Sequence, residues 1–183
     1  MKKWLVPIGI VVVLGFMLMS GYNSLVVINE DVNGKWSQVE NQLQRRADLI
    51  PNLVETVKGY AAQETEVFTA LANARAALAG AGTVSETAEA NQEITSALGR
   101  LIAIAEAYPE LKSNVNFLAL QDELAGTENR IATARMDYNG AVQTYNTKVK
   151  SLPTALYAGL LGFRDREYFE AEDGAEDGVD VDF

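Results

Sequence analysis

The chain has 183 residues, a formal charge of −10, and neither cysteine nor histidine. Those two absences exclude a disulfide framework, a thiolate nucleophile, and an imidazole acting as general base or metal ligand. Seven of the 25 acidic residues lie between Glu170 and Asp182. From Asn23 to Phe169 there are still 18 acids against 13 bases, so no basic stripe exists for a nucleic acid partner.

The stretch from Trp4 to Tyr22 carries no charge and follows Lys2 and Lys3. A helix of that length measures about 28 Å, against a hydrocarbon core of roughly 30 Å. The expectation is an N-terminal transmembrane anchor over residues 1–22, with Trp4 and Tyr22 as its interfacial aromatics. A cleavable secretory signal would also open on lysines and an apolar run. This run exceeds the usual h-region of about 7–15 residues, and Met19-Ser20-Gly21-Tyr22 has no A-x-A pattern, although Ser20-Gly21 leaves cleavage open. Gly9 and Gly15 are spaced too far apart for a GxxxG dimerisation motif. The lysines precede the run, whereas Glu30 and Asp31 come before the next base, Lys35. The positive-inside rule therefore places the N-terminus in the cytoplasm and the remainder outside the cell (inner) membrane, as a single-pass protein.

After Tyr22 the pattern becomes helical. Leu25, Ile28, Val32, Trp36, Val39, Leu43, Ala47, Ile50, Val54, Val57, Ala61, Phe68, Leu71 and Leu78 fall at steps of three and four, broken only near Glu64 and Arg75. This predicts one long helix ending at Ala79-Gly80-Ala81-Gly82. Pro51 lacks the amide that would bond Ala47, so a kink is expected there rather than a reversal, because the stripe keeps phase across it. Thr83-Val84-Ser85-Glu86 has the form of a capping box. It opens a second helix with Ile94, Leu98, Leu101, Ile102, Ala105 and Tyr108 inward, stopped by Pro109. A third helix is expected from about Ser113 to Leu152, carrying Phe117, Leu120, Leu124, Thr127, Ile131, Ala134, Tyr138, Ala141, Tyr145, Val149 and Leu152. Nothing alternates as a strand would.

The predicted fold is therefore all-α: a transmembrane helix, then an up-and-down antiparallel bundle of three long helices with a short C-terminal element. The domains are residues 1–22 (anchor), 23–163 (helical bundle) and 164–183 (acidic, disordered tail). The second helix is too short to cover its neighbours. Parts of the long helices must pair with each other, with the C-terminal element, or with a second copy of the chain, and homo-oligomerisation is expected. Leu152 to Phe163 is apolar and uncharged but too short to span. Packing on the bundle is the plainer reading of it, and a segment at the membrane interface is the alternative.

Several segments carry a family likeness. They are Gly21-Tyr22-Asn23-Ser24-Leu25-Val26, Val32 with Trp36 and Val39, and the run Gln42-Leu43-Gln44-Arg45-Arg46-Ala47-Asp48-Leu49-Ile50-Pro51-Asn52-Leu53-Val54. Val57-Lys58-Gly59-Tyr60, Tyr108-Pro109-Glu110-Leu111-Lys112, Asn116-Phe117, Glu128-Asn129-Arg130-Ile131, Ala134-Arg135 and Tyr138-Asn139 complete it. Over residues 21–169 the chain resembles the LemA family of single-span membrane proteins. The resemblance implies a helical bundle behind an N-terminal anchor and brings no catalytic residues. One branch of that family is linked to building an internal bacterial membrane. The chain departs from the family pattern at Gln63, where a histidine is expected, and in its extended acidic tail.

Arg45, Arg46, Asp48 and Asn52 flank Pro51 on the first helix. A structural polar seam is expected where they meet Asn129, Arg130, Arg135, Asp137 and Asn139 of the third, since buried charges must be paired. A solvated face and a partner-docking notch are the alternatives. Pairs such as Glu64/Glu66, Asp122/Glu123 and Glu86/Glu89/Glu93 offer no marked general acid and base. A di-iron bundle needs Glu-x-x-His ligands that this sequence lacks. The tail has carboxylates and glycines but no EF-hand loop. The sequence thus points to a non-enzymatic, membrane-anchored scaffold without cofactor, which self-assembles and acts in membrane or envelope organisation. Its expected partners are the lipid bilayer through residues 4–22, further copies of itself, and an unidentified membrane protein, but not nucleic acid. The alternative is an accessory or regulatory subunit of another membrane complex.

Overall fold

A computed structural model of the chain describes residues 5–170. Among these every regular element is helical. They are α1 (Leu5–Lys58), α2 (Thr65–Gly80), α3 (Val84–Glu106), a single turn α4 (Pro109–Lys112), α5 (Val115–Lys150), and two 3-10 turns at Thr154–Leu156 and Gly159–Leu161. The residues divide into two compact units. Among the described residues, one combines 5–37 with Met136–Arg166, and the other combines Gln38–Arg135 with 167–170.

The second unit holds the larger core. Ile50, Leu53 and Val57 of α1 meet Phe68 and Leu71 of α2, Ile94, Leu98 and Leu101 of α3, and Phe117 and Leu124 of α5. The stripe read from the sequence is the buried stripe here. Pro51 lies within a continuous helix, as expected. The predicted single helix to Leu78, however, is two helices. The chain turns at residues 59–64, where the Tyr60 and Ala61 amides both bond to the Val57 carbonyl and the Glu64 amide to that of Ala61. Gly59 weakens the helix at this point. Ala61, fully buried in the turn, keeps the apolar phase running into α2. Periodicity alone does not distinguish such a reversal from a straight helix.

Thr83 forms the predicted cap. Its hydroxyl accepts from the Glu86 amide at 3.2 Å, and the Glu86 carboxylate accepts from the amides of Gly82 and Thr83 at 2.7 and 3.1 Å. Pro109 does not simply stop α3: it sits at the start of α4, where its missing amide is harmless. The Asn114 side chain then accepts from the Asn116 and Phe117 amides and opens α5.

In the first unit α1 and α5 run antiparallel. Trp36 packs against Tyr138 with ring centroids 5.1 Å apart, and Leu25, Val32, Tyr138, Val142 and Tyr145 are buried. Here the two long helices cover each other and are joined by the C-terminal element. Of the segment 152–163, Thr154 and Ala158 are buried, but Leu152, Leu156, Leu160 and Leu161 are exposed, which corrects the expectation that it packs as a hydrophobic block. The predicted tail boundary at residue 164 also moves. Arg166 exchanges two backbone hydrogen bonds with the Asn146 side chain in this unit, and Phe169 is buried in the other. Apolar and amide contacts hold this short run despite its acidic surroundings. Residues 171–183 lie outside the described residues.

Trp4 also lies outside them. Among the described residues no helix is long and apolar enough to cross a membrane, so the fold gives no support to a transmembrane span over residues 4–22. Beyond Tyr22 the apolar residues of α1 recur at steps of three and four among polar ones, and the helix is amphipathic.

The cap supplies a test. Thr83→Ala is expected to lower stability by about 1 kcal/mol in urea unfolding. The two backbone donors hold the Glu86 carboxyl below its ordinary pKa. Its stabilisation is therefore present above the unfolded-state pKa and is lost as pH falls through the lowered folded-state value. Glu86→Gln should flatten that part of the acid dependence; an unchanged acid profile would mean that the cap does not couple to folding.

Candidate functional site

Arg46 shares the inner face of α1 with Leu43, Ala47 and Ile50, and only 4% of it is exposed. A guanidinium in that place must be neutralised and hydrogen-bonded. Its Nη1 donates to Asn91 Oδ1 of α3 at 2.9 Å and lies 2.7 Å from Glu128 Oε2 of α5. The carboxylate oxygen sits off the donor direction, so this second contact is an ion pair without hydrogen-bond geometry, and Arg46 Nε has no hydrogen-bond partner. Burial lowers the Arg46 pKa and Glu128 raises it. Arg135, on the same face of α5 as Glu128, is likewise lowered by burial and raised by Glu128. Both remain guanidinium ions, and neither is a proton donor at physiological pH.

The remaining predicted seam residues are placed variously. Arg45 pairs with Glu123, and Arg130 lies 3.6 Å from the same carboxylate, at the surface. Asp48 accepts from Gln44 on its own helix at 2.8 Å. Asn52 and Asn129 are exposed. Arg135 stacks over the Phe169 ring at 4.6 Å. Asp137 and Asn139 belong to the other unit, where Asp137 pairs with Lys35 at 3.2 Å. The structure thus brings Arg46 together with Asn91 and Glu128, neither of which is among the predicted residues. A sequence signal for Asn91 exists: with Thr87 it continues the stripe of Ile94 and Leu98, so a polar side chain falls on an apolar phase.

Two smaller polar features lie at the turn between α1 and α2. Gln63 donates to the Tyr108 hydroxyl at 2.6 Å, and Asn114 donates to the Tyr60 hydroxyl at 3.0 Å. The family departure at Gln63 therefore carries a neutral hydrogen bond. An open groove lies between Ser85, Glu89 and Glu93 of α3, Arg135 of α5, and the 167–170 run. Among the described residues no group of acidic side chains is placed to hold a metal ion. What Arg46, Asn91 and Glu128 can do together is fix three helices in register.

These features define an all-α protein built on two long helices, with the polar cluster of Arg46, Asn91 and Glu128 inside its second unit. A sequence model of the LemA family matches residues 35–183, and the chain belongs to that family. It is 30% identical to magnetosome protein MamQ 2 of Paramagnetospirillum magneticum over 91% of this chain and 71% of that protein. It is 29% identical to magnetosome protein MamQ of Magnetospirillum gryphiswaldense, over 83% of this chain and 65% of the relative. Protein LemA of Metamycoplasma hominis is 24% identical over 91% and 76% respectively.

The cluster predicts an asymmetry. Glu128→Gln leaves a buried charge with Asn91 alone and should cost about 2 kcal/mol in chemical unfolding. Arg46→Met combined with Glu128→Gln should recover much of that loss, because the buried Arg46 charge is then gone with its counterion. Equal losses in the single and double variants would show that the ion pair plays no part.

Proposed function

We propose that this LemA-family chain is a non-enzymatic helical scaffold, anchored to the cell membrane through residues 4–22 and self-assembling there to organise membrane or envelope. Its N-terminus is cytoplasmic and its helical units lie outside. The observation that carries the reading is the start of α1. Val12, Val13, Phe16, Met17, Leu18 and Met19 are all exposed. These positions point in every direction around the helix, so no single packed partner covers them, and a lipid environment does. The uncharged run preceded by two lysines supports the same assignment, as does similarity to proteins named for the magnetosome. In this reading the seam around Arg46 holds helix register and does not bind a ligand.

Full-length protein is expected in the carbonate-washed membrane pellet, and deletion of residues 1–22 should move it to the supernatant. Purification in native nanodiscs followed by mass determination should then give a discrete homo-oligomer. Recovery of monomer with one unrelated protein in fixed ratio would replace the scaffold by an accessory subunit. Full-length protein in the supernatant would remove the anchor.

A further inference from the structure

The segment Leu152–Phe163 combines three properties that rarely occur together in a surface loop. Its large side chains face outward: Leu152, Leu156 and Leu160 are each more than 70% exposed, and Leu161 is 47% exposed. Much of its backbone is paired within the segment. The amides of Leu156, Tyr157, Ala158, Leu161, Gly162 and Phe163 all bond to carbonyls between Pro153 and Gly159. It also carries no charge, while Lys148, Lys150 and Arg164 flank it. Paired backbone and apolar side chains are what a segment needs to leave water at low cost.

Its place on the fold is equally specific. The Tyr157 ring lies on α1 at Gly21, so closely that a Cβ at that position would fall 1.9 Å from the Tyr157 hydroxyl. Tyr22 and Phe163 meet edge to face at 5.7 Å. The segment is thus fastened where the apolar run of α1 ends. Its leucines are exposed, as are Phe16, Met17, Leu18 and Met19 of the run that ends at that point.

We infer that Leu152–Phe163 is a membrane-interface element. Leu156, Leu160 and Leu161 enter the headgroup–acyl boundary of the bilayer that holds α1, on the side where α1 leaves it. Tyr22, Tyr157 and Phe163 form an aromatic layer at that depth, where such rings are favoured. Lys148 and Arg164 face anionic headgroups, which favour basic residues beside an inserted apolar edge. The segment thereby sets how close the first unit stands to the lipid. This inference rests on the anchoring of α1 proposed above, and the test separates the two.

Because the chain has no cysteine, single probes can be placed without background. Leu160→Cys and, separately, Val13→Cys are labelled with an environment-sensitive fluorophore in full-length protein. Each is reconstituted in phosphatidylethanolamine–phosphatidylglycerol nanodiscs carrying nitroxide lipids, either near the headgroup or deep in the chain. The expected result is a blue-shifted Leu160 probe quenched chiefly by the shallow nitroxide, and a Val13 probe quenched chiefly by the deep one. A Val13 probe quenched at depth beside a Leu160 probe that stays water-like and unquenched overturns the inference and leaves the anchor standing. A quenched Leu160 probe with an unquenched Val13 probe supports lipid contact by the segment and removes the spanning anchor. Absence of quenching at both positions overturns both.

Discussion

The apolar stripe that α1 carries from Leu25 to Val57 has to be covered at every turn, and most of this architecture follows from how that is done. One narrow stripe cannot be satisfied by solvent, and a partner helix must present a matching one. In the second unit the cover comes from α2, α3 and the first part of α5, and Val39, Leu53 and Val57 are almost wholly removed from water. In the first unit it comes from the last part of α5 and the run that follows, with Trp36 against Tyr138 and Leu25 buried. The short helices are short because they serve only one of these units.

Burying Arg46 runs against this economy. An apolar side chain there would pack without needing partners from two other helices. The charge is retained with one good hydrogen bond, to Asn91, and one ion pair, to Glu128. Sliding any of these helices by a turn would leave a charge in the core without its counterpart. Apolar surfaces alone tolerate such slips far better, because one leucine contact resembles another. The alanine content of the helices makes the point sharper, since small, similar side chains discriminate poorly between registers.

Much of this was legible in the residues. The stripe from Leu25 to Ala61 and that from Phe117 to Val149 are the buried faces, Tyr138 and Tyr145 are core, and Thr83 with Glu86 caps α3. What escaped did so for definite reasons. The reversal at residues 59–64 was marked only by Gly59 and by the break in the stripe near Glu64, and the stripe resumes in phase at Phe68. Phe169 and Arg166 sit beside an acidic stretch whose composition suggests disorder, yet one aromatic ring and one side-chain amide suffice to hold them. Asn91 was hidden because a polar residue on an inner face looks like a lapse in the pattern until its charged partner is known, and Glu128, half exposed beside Thr127, looks like an ordinary surface acid. The uncharged run from Trp4 to Tyr22 reads as a span in the sequence, while no helix among the described residues is long and apolar enough to cross a membrane.

The make-up of the first unit bears on how the chain is born. Its two halves come from near the opposite ends of the polypeptide; Lys35 and Asp137, which pair in it, are 102 positions apart. The α2–α3 hairpin of the other unit, by contrast, joins neighbours in sequence and closes a short loop. Contacts of long separation form slowly because loop closure must precede any gain from packing. During synthesis the stripe at Leu25 and Val32 emerges early and stays without its natural cover until α5 has been made. For that interval a nascent chain of this design carries an apolar helix face without the partner that covers it in the folded unit.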